Sequence, residues 1–160
     1  VRPAAIAAYP MYRGISRLLG MEIPETGDKV SDEFETLEKY WDKFDFFYVH
    51  IKKIDSYGED GNFDARVKLI EEVDSELPRL RKLQPDVIVV TGDHSTPAAM
   101  KYHSWHPVPT IMWSKVCRPD RVTKFGERDC ITGGLGPRLP GYELMPLAMA
   151  NARRLEKYGA

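Results

Sequence analysis

Val87-Ile88-Val89-Val90-Thr91-Gly92-Asp93-His94-Ser95-Thr96-Pro97 is the stretch on which the reading of the fold turns. Four consecutive β-branched residues leave no polar face, and such a strand belongs inside a sheet covered on both sides, as parallel strands flanked by helices are. The run then breaks into glycine, carboxylate, imidazole and hydroxyl groups, so the polar cluster lies at the strand's carboxyl end. Upstream, Phe46–Ile51 is equally continuous and is expected to be a central strand, and Ala4–Ala8 is a small-residue apolar run expected to be another. Thr110–Trp113 is a shorter fourth. Between them the apolar residues recur at helical spacing. Met11, Ile15, Leu18 and Leu19 form one such stripe, stopped at Gly20. Phe34, Leu37, Tyr40, Trp41 and Phe44 follow a Ser31 cap, and Phe63, Val67, Ile70, Val73, Leu77 and Leu80 run through a long helix with Pro78 near its last turn. A last helical pattern spans Leu144–Leu155. The alternation predicts an α/β layer fold, a mainly parallel sheet with helices on both faces, in which ligands collect beyond the carboxyl ends of the strands.

The 160 residues fit one packed domain, 1–160, with no internal boundary, repeat or linker. Apolar residues make up 42% and charged residues 29%, which excludes a disordered tail, a collagen-like repeat and a disulfide miniprotein. With 23 basic against 24 acidic side chains, the bulk charge favours neither nucleic acid nor an anionic membrane. Cys117 and Cys130 belong to no CxxC pair and are expected to be reduced thiols. No apolar run is long enough to span a bilayer, and no secretory leader pattern opens the chain, so a cytoplasmic location is expected.

Two polar clusters fall at the expected strand ends: Asp55-Ser56-Tyr57-Gly58-Glu59-Asp60, and Thr91 to Pro97. A third element, His103-Ser104-Trp105-His106-Pro107-Val108-Pro109, can fold an imidazole back over the same edge. Mixed carboxylate and imidazole donors suit borderline divalent ions such as zinc or manganese, which would act as Lewis acids on an oxyanion. Singly, each residue has an ordinary structural role open to it: an Asp after a strand caps helices and makes Asx turns, and His50 within a strand is most simply a core or edge residue. Arg13 could form a forked pair with a carboxylate or phosphate, or open a helix in solvent, and Lys52 and Lys53 could neutralise a phosphate or merely solubilise the strand end. Trp105 and Trp113 are expected to pack.

The ordered set Asp55, residues 87–97, and His103-Ser104 with Pro107-Val108-Pro109 resembles the archaeal-type cofactor-independent phosphoglycerate mutases of the alkaline phosphatase superfamily. Ala8-Tyr-Pro-Met-Tyr-Arg-Gly14, Asp74, Arg118-Pro119-Asp120, Gly133-Gly134-Leu135-Gly136 and Leu144-Met145-Pro146 look like the C-terminal portion of that family, and Glu156–Ala160 looks like its natural end. The resemblance implies an incomplete part of a larger alkaline-phosphatase-like sheet. It also implies an isomerase that interconverts 3-phosphoglycerate and 2-phosphoglycerate through a phosphoserine, using two divalent metal ions and no 2,3-bisphosphoglycerate. Manganese is the first expectation for the metal, with zinc, cobalt or magnesium as alternatives.

By the same resemblance, Asp93 and His94 match the Asp-His pair of one metal site, and Asp55 and His103 match two ligands of the other. Glu59 stands where the family pattern places a histidine, and Arg13 and Lys52 are the candidate substrate contacts. The family's N-terminal metal-binding Asp-Gly segment and nucleophile motif have no counterpart here, and Ser95 follows the Asp-His pair rather than occupying the nucleophile's position. The 160 residues alone are therefore expected to be inactive, to hold metal weakly, and to self-associate through an uncovered sheet edge or apolar face. A phosphatase or phosphodiesterase of the same superfamily, or a non-catalytic binding domain with a vestigial metal site, are the competing expectations.

Overall fold

The computed structural model describes residues 1–155, so the expected natural end at Glu156–Ala160 lies outside the described residues. The chain forms two compact units that interleave along the sequence. The first comprises Val1–Gln84 with Thr96–Tyr102, and the second Pro85–Ser95 with the residues from His103 onward.

In the first unit, β1 (Pro3–Ala7) and β2 (Phe46–His50) pair in parallel, with Ala4 opposite Phe47 and Ala7 opposite His50. Parallel pairing requires a crossover, and α1 (Pro10–Leu18) and α2 (Val30–Tyr40) lie in it. Ala4, Ala5, Ile6 and Ala7 are wholly buried. Among the described residues β1, not β2, has neighbours on both sides within this unit, because Glu22 bridges to Ala4 on the edge away from β2. Phe46–His50, expected as a central strand, is half-buried throughout.

Proline opens α1, where the missing N–H costs nothing, and the helix ends in a Schellman turn: Gly20 N–H donates to Arg17 O and Met21 N–H to Ser16 O, both at 3.0 Å. Gly20 at φ +76° supplies the left-handed residue this turn needs. The expected Ser31 cap is not used. α2 begins at Val30, and the Asp32 carboxylate accepts the Lys29 N–H at 3.2 Å, leaving Ser31 inside the first turn.

The segment Lys53–Glu59, read from the sequence only as a polar cluster, is a helix, α3, and Phe63–Lys82 forms the long α4, capped by Asn62 Oδ1 accepting from Ala65 N at 3.1 Å. The buried face of α4 is rotated from the expected stripe. Leu69 packs with Val30 and Phe34, and Val73 and Leu80 join them, whereas Phe63 and Ile70 are exposed. α4 packs against both α2 and α3, so Leu69, between the two flanks of the stripe, takes the shared contact.

In the second unit, β3 (Val87–Val90) pairs with β4 (Ile111–Ser114) in antiparallel register, Val87 opposite Ser114 and Val90 opposite Ile111. This departs from the expected mainly parallel arrangement for a definite reason: residues 91–110 contain no helix, and without a crossover the chain returns alongside β3 in the opposite direction. The β3 residues are half-buried rather than fully buried. The long segment after β4 contains only α5 (Glu127–Cys130) and a 3₁₀ turn before α6 (Leu144–Asn151), which packs against β3. Asn151 Oδ1 accepts the Ser114 hydroxyl at 2.9 Å, tying α6 to the end of β4. Cys117 and Cys130 carry free thiols.

Candidate metal centre

In the first unit the placement of Asp55 and Glu59 follows from α3 being a helix. Residues four apart share one face, so both carboxylates project from the same side, just beyond the carboxyl end of β2. Lys52 at the helix start donates to Asp55 Oδ2, lies 3.9 Å from Glu59 Oε2, and its ammonium stands 5.6 Å from the Tyr9 ring centre. Burial opposes the charge on Lys52, but the hydrogen bond to Asp55 and the attraction of Asp55, Glu59 and Tyr9 outweigh it, raising its pKa above the ordinary lysine value.

The second Asp55 oxygen accepts the Thr96 hydroxyl at 2.5 Å, and the Arg66 guanidinium donates to the Thr96 carbonyl. Thr96 is fully buried, and Gly58 packs so closely on it that a Cβ there would collide with the Thr96 carbonyl oxygen. Asp55 is thus oriented by a built shell of Lys52, Thr96, Arg66 and Gly58. Thr96 and Gly58 lie inside the two polar clusters quoted above, but their mutual contact and the part played by Arg66 gave no sequence signal.

In the second unit, Ser104 N–H donates to Ser95 O at 2.8 Å, an isolated antiparallel bridge that folds the loop back on itself. The His94 and His103 rings consequently come together, with centroids 4.0 Å apart at 36°. Asp93 Oδ1 accepts the His94 backbone N–H at 3.1 Å, and Oδ2 lies 3.6 Å from His94 Nε2. Two imidazoles and a carboxylate on one loop are a donor set suited to zinc or manganese. The oxygen pair on α3 already faces one positive charge, the Lys52 ammonium, so its chemistry also fits a cation. Both donor sets fit the divalent ions expected above, and Glu59 adds oxygen where the resemblance implied nitrogen.

The remaining candidates are placed as follows. Arg13 is inside α1 and its guanidinium pairs with Glu25 at 2.8 Å. The Lys53 ammonium donates to Asp28 O at 3.2 Å. His50 stacks on Tyr12 with ring centres 3.6 Å apart, an ordinary packing role. Trp105, expected to pack, is instead 83% exposed and stacks on the His106 ring at 5.1 Å, because the loop bridge turns it outward. Asp120 accepts the N–H groups of Gly134 at 2.6 Å and Val122 at 2.8 Å, which lower its pKa and anchor the glycine-rich turn.

Oxygen and imidazole donors at strand ends of an α/β framework are the architecture of a metalloenzyme, and residues 1–151 match the Metalloenzyme superfamily, to which this chain belongs. A probable 2,3-bisphosphoglycerate-independent phosphoglycerate mutase of Thermosipho melanesiensis is 58% identical over 160 residues, covering 100% of this chain and 40% of that protein. The chain thus spans about two fifths of the length of the curated relatives it matches. The structure of the PH0037 protein from Pyrococcus horikoshii is similar with a TM-score of 0.93 at 29% identity, over 100% of this chain and 44% of that one. The cofactor-independent phosphoglycerate mutase from Thermoplasma acidophilum shares the fold, with a TM-score of 0.73 at 24% identity, over 94% of this chain and 36% of that one. Among the described residues no helix is long and apolar enough to cross a membrane.

Proposed function

We propose that this chain is the C-terminal, metal-binding portion of a cytoplasmic 2,3-bisphosphoglycerate-independent phosphoglycerate mutase, an isomerase of glycolysis converting 3-phosphoglycerate to 2-phosphoglycerate. The observation that carries the reading is the pairing of His94 with His103 beside Asp93, together with the oriented Asp55–Glu59 face of α3. Asp55, Glu59 and His103 are assigned to one ion, and Asp93 with His94 to the other. Thr96, whose hydroxyl holds Asp55, belongs to the same polar run of sequence as Asp93 and His94. Bound divalent ions would lower the pKa of a serine hydroxyl and offset charge on the transferred phosphoryl group.

The chain's own residues do the rest. Lys52 supplies positive charge beside the carboxylates and Arg13 a planar donor fork for a carboxylate or phosphate, while Thr96 keeps Asp55 aimed. The attacking serine lies outside these 160 residues, so the chain alone is inactive. The direct test assays a polypeptide of the relatives' full length for phosphoglycerate isomerisation and for phosphate-ester hydrolysis. Isomerisation is expected, and hydrolysis without it overturns the mutase reading in favour of a phosphatase or phosphodiesterase, for which Glu59 is the specific argument. Glu59→His should raise affinity for zinc relative to manganese by about 10-fold or more, read by calorimetry, because nitrogen replaces oxygen in the donor set. Unchanged metal preference would remove Glu59 from the site.

We also infer weak self-association of the 160-residue chain through α1. Met11, Ile15 and Leu18 on that helix and Leu19 just after it are exposed, Leu18 at 89% and Leu19 at 73%. A nine-residue helix offers far less than the roughly 800 Å² per partner of a standard interface, so the association is concentration-dependent rather than tight. Sedimentation equilibrium should show dimers that Leu18→Glu with Leu19→Glu returns to monomers. A wild-type monomer at high concentration would contradict the idea.

A further inference from the structure

We propose that Glu33 is a proton-operated latch on the turn leading from β1 into α1. Its side chain is only 3% exposed, and its carboxyl accepts the backbone N–H of Ala8, the residue that follows β1. A cavity of about 370 Å³ touches it, lined also by Tyr9, Pro10, Ile51 and Tyr57. The cavity supplies the route by which a buried acid exchanges its proton with water. The inference concerns the first unit alone and stands whether or not the mutase reading holds.

The two protonation states bind Ala8 differently. An ionised carboxylate makes a charge-assisted, stronger bond to the N–H, but must hold its charge against the apolar wall of Val30 and Leu69. The charged groups around it largely oppose one another. Asp32 and Asp28 disfavour ionisation and Lys53 favours it, while Lys29, Lys52, Tyr9, Tyr57 and Glu72 line the same cavity, and His50 is the register partner of Ala7 next to the latch. Burial is the largest effect and pushes the Glu33 carboxyl up to about 7, with the Ala8 bond and Lys53 acting in the other direction.

Because the folded value lies above the unfolded carboxylate value of 4.5, the native state holds a proton that the unfolded chain has lost. The stability from this group is therefore fully present below about pH 4.5, declines as pH rises to about 7, and is flat above. The mechanical consequence falls on the start of α1, where Tyr9 and Pro10 follow Ala8 directly. Tyr12 and Arg13 follow in the first turn of that helix.

The test is an NMR titration of the 160-residue protein between roughly pH 4 and pH 9, following the Glu33 carboxyl carbon and the Ala8 amide proton. Both signals should move together with a midpoint near 7, and the Ala8 step should vanish in Glu33→Gln, whose amide oxygen still accepts the N–H but cannot ionise. Denaturant unfolding should become less pH-dependent between about pH 4.5 and 7 in the same variant. A Glu33 carbon that titrates in the ordinary carboxylate range overturns the proposal using wild-type protein alone. So does an Ala8 step that survives in Glu33→Gln, because its origin would then lie outside Glu33.

Discussion

Asp93→Ala, in a polypeptide of the relatives' full length, is expected to lower isomerisation of 3-phosphoglycerate by more than about 100-fold with the fold intact by circular dichroism. The substitution removes an oxygen donor and, at the same time, the acceptor that holds the His94 backbone at 3.1 Å. A change confined to orientation would be partly spared by Asp93→Asn, whose side-chain oxygen can still accept that N–H while its charge is gone. The two variants therefore separate positioning from charge: if charge on the donor matters, Asn is nearly as damaged as Ala, and calorimetric metal binding falls in both. Normal turnover by Asp93→Ala would leave the mutase assignment without its Asp-His pair. Because Asp93 is exposed, the loss cannot be attributed to a collapsed core.

Gly58→Ala should lower the melting temperature of the 160-residue chain by roughly 5–10 °C. Alanine in a helix is intrinsically better than glycine by about 1 kcal/mol, so local propensity predicts a gain. Contact predicts the opposite. The new methyl would collide with the Thr96 carbonyl oxygen and approach the Arg66 guanidinium nitrogen at 3.2 Å, and a backbone oxygen cannot swing aside as a flexible side chain would. Overpacking together with a weakened charged hydrogen bond costs about 2–4 kcal/mol, which exceeds the propensity gain. Thr96 is also the hydroxyl donor to Asp55, so metal affinity should fall with stability. A Gly58→Ala protein as stable as wild type would mean that Thr96 relaxes freely and does not brace Asp55.

The two predictions touch different levels of legibility. Asp93, His94, Asp55 and His103 are ordinary taken singly, and it is their order along the chain that carries the family resemblance. Glu59 was readable as a departure from that pattern, yet its geometric relation to Asp55 was not, since the polar run 55–60 shows no apolar periodicity from which a helix could be inferred. Once Lys53–Glu59 is helical, the spacing of four places the two carboxylates on one face without further assumption. Lys52 was seen as a candidate phosphate contact. Its bond to Asp55 adds that it also balances the charge of the carboxylate beside it.

Apart from α3 and α5, strands and helices could be located from the chain alone because β-branched runs, helical spacing, the proline opening α1 and the glycine closing it act over a few residues. Direction and pairing were out of reach of such signals. β3 and β4 run antiparallel because the loop between them holds no helix, a property of a whole connection, and the α4 stripe turned toward Leu69 because α2 and α3 press on it together. The same distinction governs the candidate metal centre: chemistry is written in the donors themselves, whereas the aim of Asp55 depends on Arg66 and Gly58 meeting Thr96, contacts between residues some thirty or more positions apart that no local pattern encodes.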